Sequence, residues 1–103
     1  MVVYKDPRVI KTTSIPNLEG SEVKIYNNLL WGDLEKIYST ESSNIEKTVE
    51  SLVLLIQDWN LTDEGGKKLP ISKETLKIFK LDAILHLLDQ TDFKVEELKK
   101  NKK

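Results

Sequence analysis

The chain has 103 residues, a formal net charge of −1 and no cysteine. This length predicts one domain, and the lack of cysteine excludes disulfides and thiolate metal sites. Hydrophobic residues at 39% and charged residues at 32% are typical of a soluble globular chain. The longest apolar run, Leu52–Ile56, is far shorter than the roughly 20 residues of a membrane span, and Lys5 and Asp6 interrupt the only candidate leader. We therefore expect a soluble intracellular protein.

The charge is unevenly distributed along the chain. Residues 94–103 contain five lysines and two glutamates, a net charge of +3, so residues 1–93 carry −4. A basic surface over the whole domain, the usual sign of nucleic-acid binding, is missing. We expect residues 1–93 to form a single globular domain and residues 94–103 to be a disordered, lysine-rich tail.

The N-terminal part predicts a β-hairpin. Arg8–Ile15 is rich in β-branched residues, and in Glu22–Tyr26 the apolar Val23 and Ile25 alternate with polar neighbours. Between these segments, Pro16–Gly20 has the composition of a turn. A hairpin alone is marginally stable, so we expect it to pack on helices.

Two helices are predicted next. Asp33 is placed to cap a short helix, and Ser43 with Glu46 forms a capping box that opens a main helix over residues 44–59. Leu54 lies on the polar side of this main helix, which makes it a candidate for partner binding. The short helix carries the apolar residues Leu34, Ile37 and Tyr38. The apolar arc of the main helix comprises Ile45, Val49, Leu52, Val53, Leu55, Ile56 and Trp59.

The C-terminal part predicts further short helices after a polar turn. Ser72 caps a helix with Leu76 and Phe79 facing inward, and a break at Lys80–Asp82 makes Asp82 the N-cap of the next helix. The inward face of that helix comprises Ile84, Leu85, Leu87 and Leu88. Asp92 then starts a last turn that holds Phe93 and Val95. The predicted fold class is α+β, mainly α, with a short N-terminal β-hairpin followed by three to four helices.

Some apolar residues remain after the predicted core is filled. Ile78 and Leu81 point away from the side of Leu76 and Phe79. Together with Leu54, they are the candidate partner-binding residues. Trp59 is expected to be buried where Leu69, Ile71 and Leu76 return towards the main helix.

No set of residues predicts catalysis or a bound cofactor. His86 is the only histidine, is expected on the surface, and cannot make a common transition-metal site by itself. Asp63 and Glu64 are adjacent carboxylates in an exposed turn, where nothing would raise a pKa for acid catalysis. Gly65–Lys67 lacks the preceding strand and first glycine of a phosphate loop. We predict a non-enzymatic chain with no catalytic, cofactor-binding or metal-binding residues.

A calcium loop and base stacking are also rejected. Asp58, Asn60, Thr62 and Glu64 alternate as in an EF-hand loop, but the glycine and the final glutamate of that loop are missing. The two tryptophans, Trp31 and Trp59, lack an interleaved basic surface. They are therefore expected in core or interface packing.

Four short segments follow one another in a fixed order along the chain. The first is Glu19–Ile25, read as an acidic Gly-X-Glu-Val stretch, and the second is Gly-Asp-Leu-Glu at Gly32–Glu35. The third is Trp-Asn-Leu-Thr-Asp-Glu at Trp59–Glu64, and the fourth, Gly66–Ser72, ends in Leu-Pro-Ile-Ser. In this order the segments resemble those of the small tail assembly chaperones of long-tailed bacteriophages and their prophages, and the similarity covers most of residues 19–90. Gly66 and Lys68 depart from the Asp and Pro that such turns often hold.

The resemblance implies an assembly factor of the host bacterial cytoplasm that binds the tape-measure protein and keeps it soluble until tail-tube subunits polymerise around it. The tail-tube protein is a further implied partner, self-association is left open, and neither nucleic acid nor membrane is expected. Such proteins are absent from the finished particle, and ribosomal slippage near the end of the gene often yields a longer form. The lysine codons of residues 99–103 are a candidate slippery sequence.

Two other classes of function remain open. One is a structural tail-completion or head–tail connector subunit that stays in the virion. The other is a small regulatory adaptor that binds a host protein. Gene neighbourhood separates the chaperone from the structural subunit, because a chaperone gene lies between the genes of the major tail protein and the tape-measure protein.

Overall fold

A small antiparallel sheet forms one side of the fold in a computed structural model that describes residues 1–39, 41 and 43–92. The strands are β1 (Ile10–Thr13), β2 (Val23–Tyr26) and β3 (Ile56–Trp59), in the order β1-β2-β3. The first two strands form the predicted hairpin, with Thr13 opposite Val23. On β2, Val23 and Ile25 are fully buried while Lys24 is exposed, as the period-two pattern predicts.

Four helices follow in the described part of the chain. They are α1 (Trp31–Tyr38), α2 (Asn44–Leu55), α3 (Lys73–Leu76) and α4 (Leu81–Asp89). The predicted α+β class, with an N-terminal hairpin and three to four helices, is therefore confirmed. The predicted last turn with Phe93 and Val95, and the lysine-rich tail, lie outside the described residues. In the described part, no helix has the length and apolar character that crossing a bilayer requires.

Serine caps mark two helix starts as predicted. Ser43 Oγ accepts a hydrogen bond from the Glu46 N–H at 3.1 Å, and Ser72 Oγ accepts one from the Thr75 N–H at 3.4 Å. These bonds satisfy backbone donors that a helix start otherwise leaves without a partner. The sequence therefore located the starts of α2 and α3 correctly.

The two predicted aspartate caps are wrong by a few positions. The N-cap of α1 is Leu30, and Asp33 lies inside the helix, where its carboxylate accepts a hydrogen bond from the Leu30 N–H at 3.2 Å. The N-cap of α4 is Lys80, and Asp82 lies in the first turn. A carboxylate in the first turn is stabilised by the positive end of the helix dipole, so aspartate fits both positions without being the cap.

The predicted main helix ends earlier than residue 59. It stops at Leu55, and Ile56–Trp59 continues directly as the strand β3, paired antiparallel with β2. Trp59 lies opposite Val23 and Asp58 opposite Lys24, but Ile25 lies opposite Ile56, so Gln57 is an extra residue on β3. This β-bulge lets Ile56 and Trp59, three residues apart, both face the core.

Helix α2 is covered from several directions. It contacts α1, α3 and β3, and Lys73 Nζ of α3 lies 3.8 Å from Glu50 Oε1. Ser51, on the predicted polar side, is fully buried and donates its hydroxyl to the Lys47 carbonyl at 2.7 Å. Ile45 was predicted in the core arc but is 78% exposed, because it lies in the first turn of the helix.

Trp59 connects three parts of the fold. Its side chain is only 3% exposed, and its indole Nε1–H donates a hydrogen bond to the Leu69 carbonyl at 2.8 Å. Its ring centroid lies 5.7 Å from that of Phe79, between α3 and α4. The prediction that Trp59 is buried against the returning chain is confirmed.

Replacing Trp59 by Ala should therefore destabilise the protein by about 3–5 kcal/mol, because it removes a buried aromatic side chain and the partner of the Leu69 carbonyl. The free energy of unfolding measured in urea checks this value. Trp31 provides the matched control, since its side chain is 76% exposed and Trp31→Ala should change stability by less than about 0.5 kcal/mol. A loss below about 1 kcal/mol for Trp59→Ala would contradict this role.

Candidate interaction surface

The candidate partner residues fall into two different environments. Ile78 and Leu81 are 75% and 73% exposed, so the structure places both on the surface as the sequence indicated. Leu54 is only partly exposed and packs against the hydrophobic core, so its interpretation as a surface residue is wrong. Helix α2 contacts α1, α3 and β3, so more than one of its sides is covered, which a helical wheel does not take into account.

Leu85 joins the exposed apolar set, contrary to the prediction that it faces inward. It is 48% exposed and lies four residues after Leu81, so the two side chains share one face of α4. The inward residues of α4 are Ala83, Leu87 and Leu88. We call the three exposed residues Ile78, Leu81 and Leu85 the α4 stripe.

A groove with a volume of about 470 Å³ lies near the start of α4. Its walls come from the hairpin turn, from the chain around Leu61 and from the junction between α3 and α4. Leu18, on the turn, is half exposed, whereas Leu61 and Ala83 are buried. Glu19, Lys80 and Asp82 supply charged groups, so the lining of the groove is mixed polar and apolar. No spacing in the sequence indicated it, because its residues come from three distant segments.

The hairpin turn beside this groove is held by side-chain hydrogen bonds. Asn60 Oδ1 accepts from the Glu22 N–H at 2.8 Å, and Asn60 Nδ2 donates to the Gly20 carbonyl at 3.0 Å. Ser21 Oγ accepts from the Ile15 N–H and donates to the Leu18 carbonyl. Gly20 has a φ of 82°, which favours glycine. These bonds fix the turn against the chain that follows β3.

His86 is not the solvated surface residue that the sequence indicated. It is half-buried, and its Nε2 lies 2.9 Å from Thr13 Oγ1 on β1. The contact joins α4 to the edge strand of the sheet. Helix periodicity alone did not predict this contact between His86 and Thr13, because the sheet covers a side of α4 that a helical wheel assigns to solvent.

The rejected calcium-like residues serve the fold. The hydrogen bond from Lys68 Nζ to Asp58 Oδ1, 2.6 Å long, lowers the pKa of Asp58, and Asn60 holds the hairpin turn. Asp63 Oδ1 accepts hydrogen bonds from the N–H groups of Gly65 and Lys67, which confirms the polar turn. Within residues 1–39, 41 and 43–92, no group of three or more His, Cys, Asp or Glu side chains is arranged to hold a metal ion.

A second ion pair organises the N-terminal segment. Arg8 Nη2 lies 2.7 Å from Asp6 Oδ2, and hydrogen bonds from the Arg8 side chain lower the pKa of Asp6 to about 2. The same guanidinium lies 3.9 Å above the Tyr26 ring and 4.0 Å from Asp33 Oδ2 of α1. These contacts connect the start of the chain to β2 and α1.

No protein-family model matches the chain, and neither a curated protein nor a solved structure is significantly similar to it. The interpretation of function therefore depends on the residues themselves and on the α4 stripe.

Leu54 and Ile78 should respond differently to the same substitution. Leu54→Glu brings a charge to a side chain packed on the core and should cost about 1–3 kcal/mol of unfolding free energy. Ile78→Glu changes an exposed side chain and should stay within about 0.5 kcal/mol of the wild type. Urea unfolding of both variants checks this difference. Equal losses would mean that the two positions are not in different environments.

Proposed function

We propose that the chain is a non-enzymatic phage tail assembly chaperone that binds the tape-measure protein through the α4 stripe. The observation that carries the proposal is the exposure of Ile78, Leu81 and Leu85 next to a packed core. Ile78 lies in the junction before α4 and Leu81 and Leu85 lie on α4, and exposed apolar side chains close together in the chain are typical of protein-binding surfaces. The order of the segments from Glu19 to Ser72, which resembles that of tail assembly chaperones, supplies the class of partner.

The chemistry of such a partner suits this surface. A tape-measure protein is long and helical and presents repeated apolar side chains, which aggregate unless they are covered. Leu81 and Leu85, one helical turn apart, can contact an apolar stripe on a client helix. Contacts of this size are shallow and few, which permits release when tail-tube subunits assemble. The protein would act in the host cytoplasm and be absent from the finished particle.

Leu54 is not included in the proposed surface, because it packs against the core. The proposed surface therefore comprises Ile78 and Leu81 from the sequence prediction, together with Leu85, which is 48% exposed.

Co-expression with the tape-measure protein from the same gene cluster tests the proposal. Ile78→Glu and Leu81→Glu should each weaken co-purification about tenfold or more, because burying one such side chain contributes about 1.5–3 kcal/mol. Ile45→Glu is the matched control, since Ile45 is equally exposed on α2 and should retain the complex. Undiminished binding by both stripe variants would contradict the proposed surface.

Mass spectrometry of purified particles separates the proposal from a structural tail-completion or connector subunit. A chaperone should be missing from particles that contain the tail-tube protein. Detection of the chain in amounts comparable to known minor tail proteins would favour the structural alternative.

A further inference from the structure

The α4 stripe has charged residues of opposite sign at its two ends. Lys77 and Lys80 are exposed just before α4, and Asp89 and Asp92 are exposed at its end. With the exposed Asp82 included, these residues carry a net charge of +1 near the start of α4 and −2 at its end, over nine residues or about 13 Å at 1.5 Å per residue. Leu81 and Leu85 lie between these ends.

This arrangement is complementary to itself when one copy is turned end to end. In an antiparallel pair related by a two-fold axis, the basic end of one stripe meets the acidic end of the other. Leu81 of one copy then lies next to Leu85 of the other, so the apolar side chains cover one another. A uniformly basic or uniformly acidic partner helix would instead meet a like charge at one end of the stripe.

We propose that the α4 stripe is a self-association surface, on which a second copy of this chain docks antiparallel. A second copy is the partner that the charges favour, because this chain itself carries the basic end and the acidic end that an antiparallel pair brings together. Asp82 is exposed directly after Leu81, where its negative charge offsets part of the positive charge at that end of the stripe. This offset and the small number of apolar side chains make the dimer weak, below the size of a standard stable interface.

The inference goes beyond the proposed function, because it does not depend on a tape-measure client. Both nevertheless involve Ile78 and Leu81, so a client and a second copy would exclude each other. Before a client is made, the second copy would shield these side chains from water and from other proteins. The test below measures only the mass of the isolated protein, so its failure is distinguishable from a failure to bind the client.

Sedimentation equilibrium of the full chain tests the inference at concentrations from about 10 μM to 1 mM, the range for an interface of this size. The average mass should rise with concentration from the 11.9 kDa of the monomer towards the dimer. Leu81→Glu should remain monomeric throughout. Ile45→Glu, an equally exposed isoleucine outside the stripe, should associate like the wild type.

Charge reversal provides the sharper test of the antiparallel arrangement. Lys77→Glu and Asp89→Lys should each weaken association at least severalfold, and the variant that contains both changes should regain wild-type association. Salt should weaken the wild-type dimer, since these exposed pairs are screened. Circular dichroism should show that all variants remain folded.

Three results would overturn the inference. They are a wild type that stays monomeric at every concentration, an equal loss in Ile45→Glu and Leu81→Glu, and a double charge variant no stronger than its single parents. In the first case the stripe would be left to a different protein.

Discussion

The burial of Trp59 is the interaction on which the rest of the structure depends. Its backbone pairs with β2, opposite Val23, and its indole N–H donates to the Leu69 carbonyl. Its ring lies beside Phe79, where α3 gives way to α4. One side chain thus connects the sheet, the polar turn and the last two helices. Because Phe79 lies next to Ile78 in the chain, the packing of Trp59 also helps to position the start of the α4 stripe.

The sequence predicted the hairpin, the helix starts at Ser43 and Ser72 and the break before α4, because each has a strong local signal. Serine caps, turn residues and alternating apolar residues act over a few positions, so a short stretch of sequence is enough to recognise them. The end of the main helix has no such signal. Ile56 and Trp59 are three residues apart, a spacing that places two side chains on one face of a helix. In the strand β3, the bulge at Gln57 turns the same two side chains towards the core.

The errors at the candidate site have a common physical cause. A helical wheel assigns a side to solvent when that side is polar, but neighbouring elements decide what is covered. The sheet reaches His86 through Thr13, and the elements around α2 leave Leu54 partly covered. The exposure of Ile78 and Leu81 was predicted correctly. Their segment has apolar side chains on every side, and a small domain cannot bury all of them. The groove near Leu18 could not be predicted, since distant segments form it.

A stable core with a small exposed apolar stripe is the arrangement that a reversible binding protein requires. The core around Trp59 supplies stability, and the stripe contributes little to folding, so its side chains remain available for contacts with other chains. A similar separation occurs in the charges: Lys68 with Asp58 and Arg8 with Asp6 pair within the fold, whereas Lys77 and Asp89 lie exposed beside the stripe. Under the proposed function, folding and binding depend on different residues.

Hydrogen exchange of the two indole N–H groups, followed by NMR, tests the central role of Trp59 most directly. The Trp59 indole proton is buried and bonded to the Leu69 carbonyl, so it should exchange only through extensive unfolding. The exposed Trp31 indole is the internal reference and should exchange rapidly. Slow exchange at Trp59 with fast exchange at Trp31 is the predicted result. Comparable, rapid exchange at both would show that Trp59 does not hold the fold together.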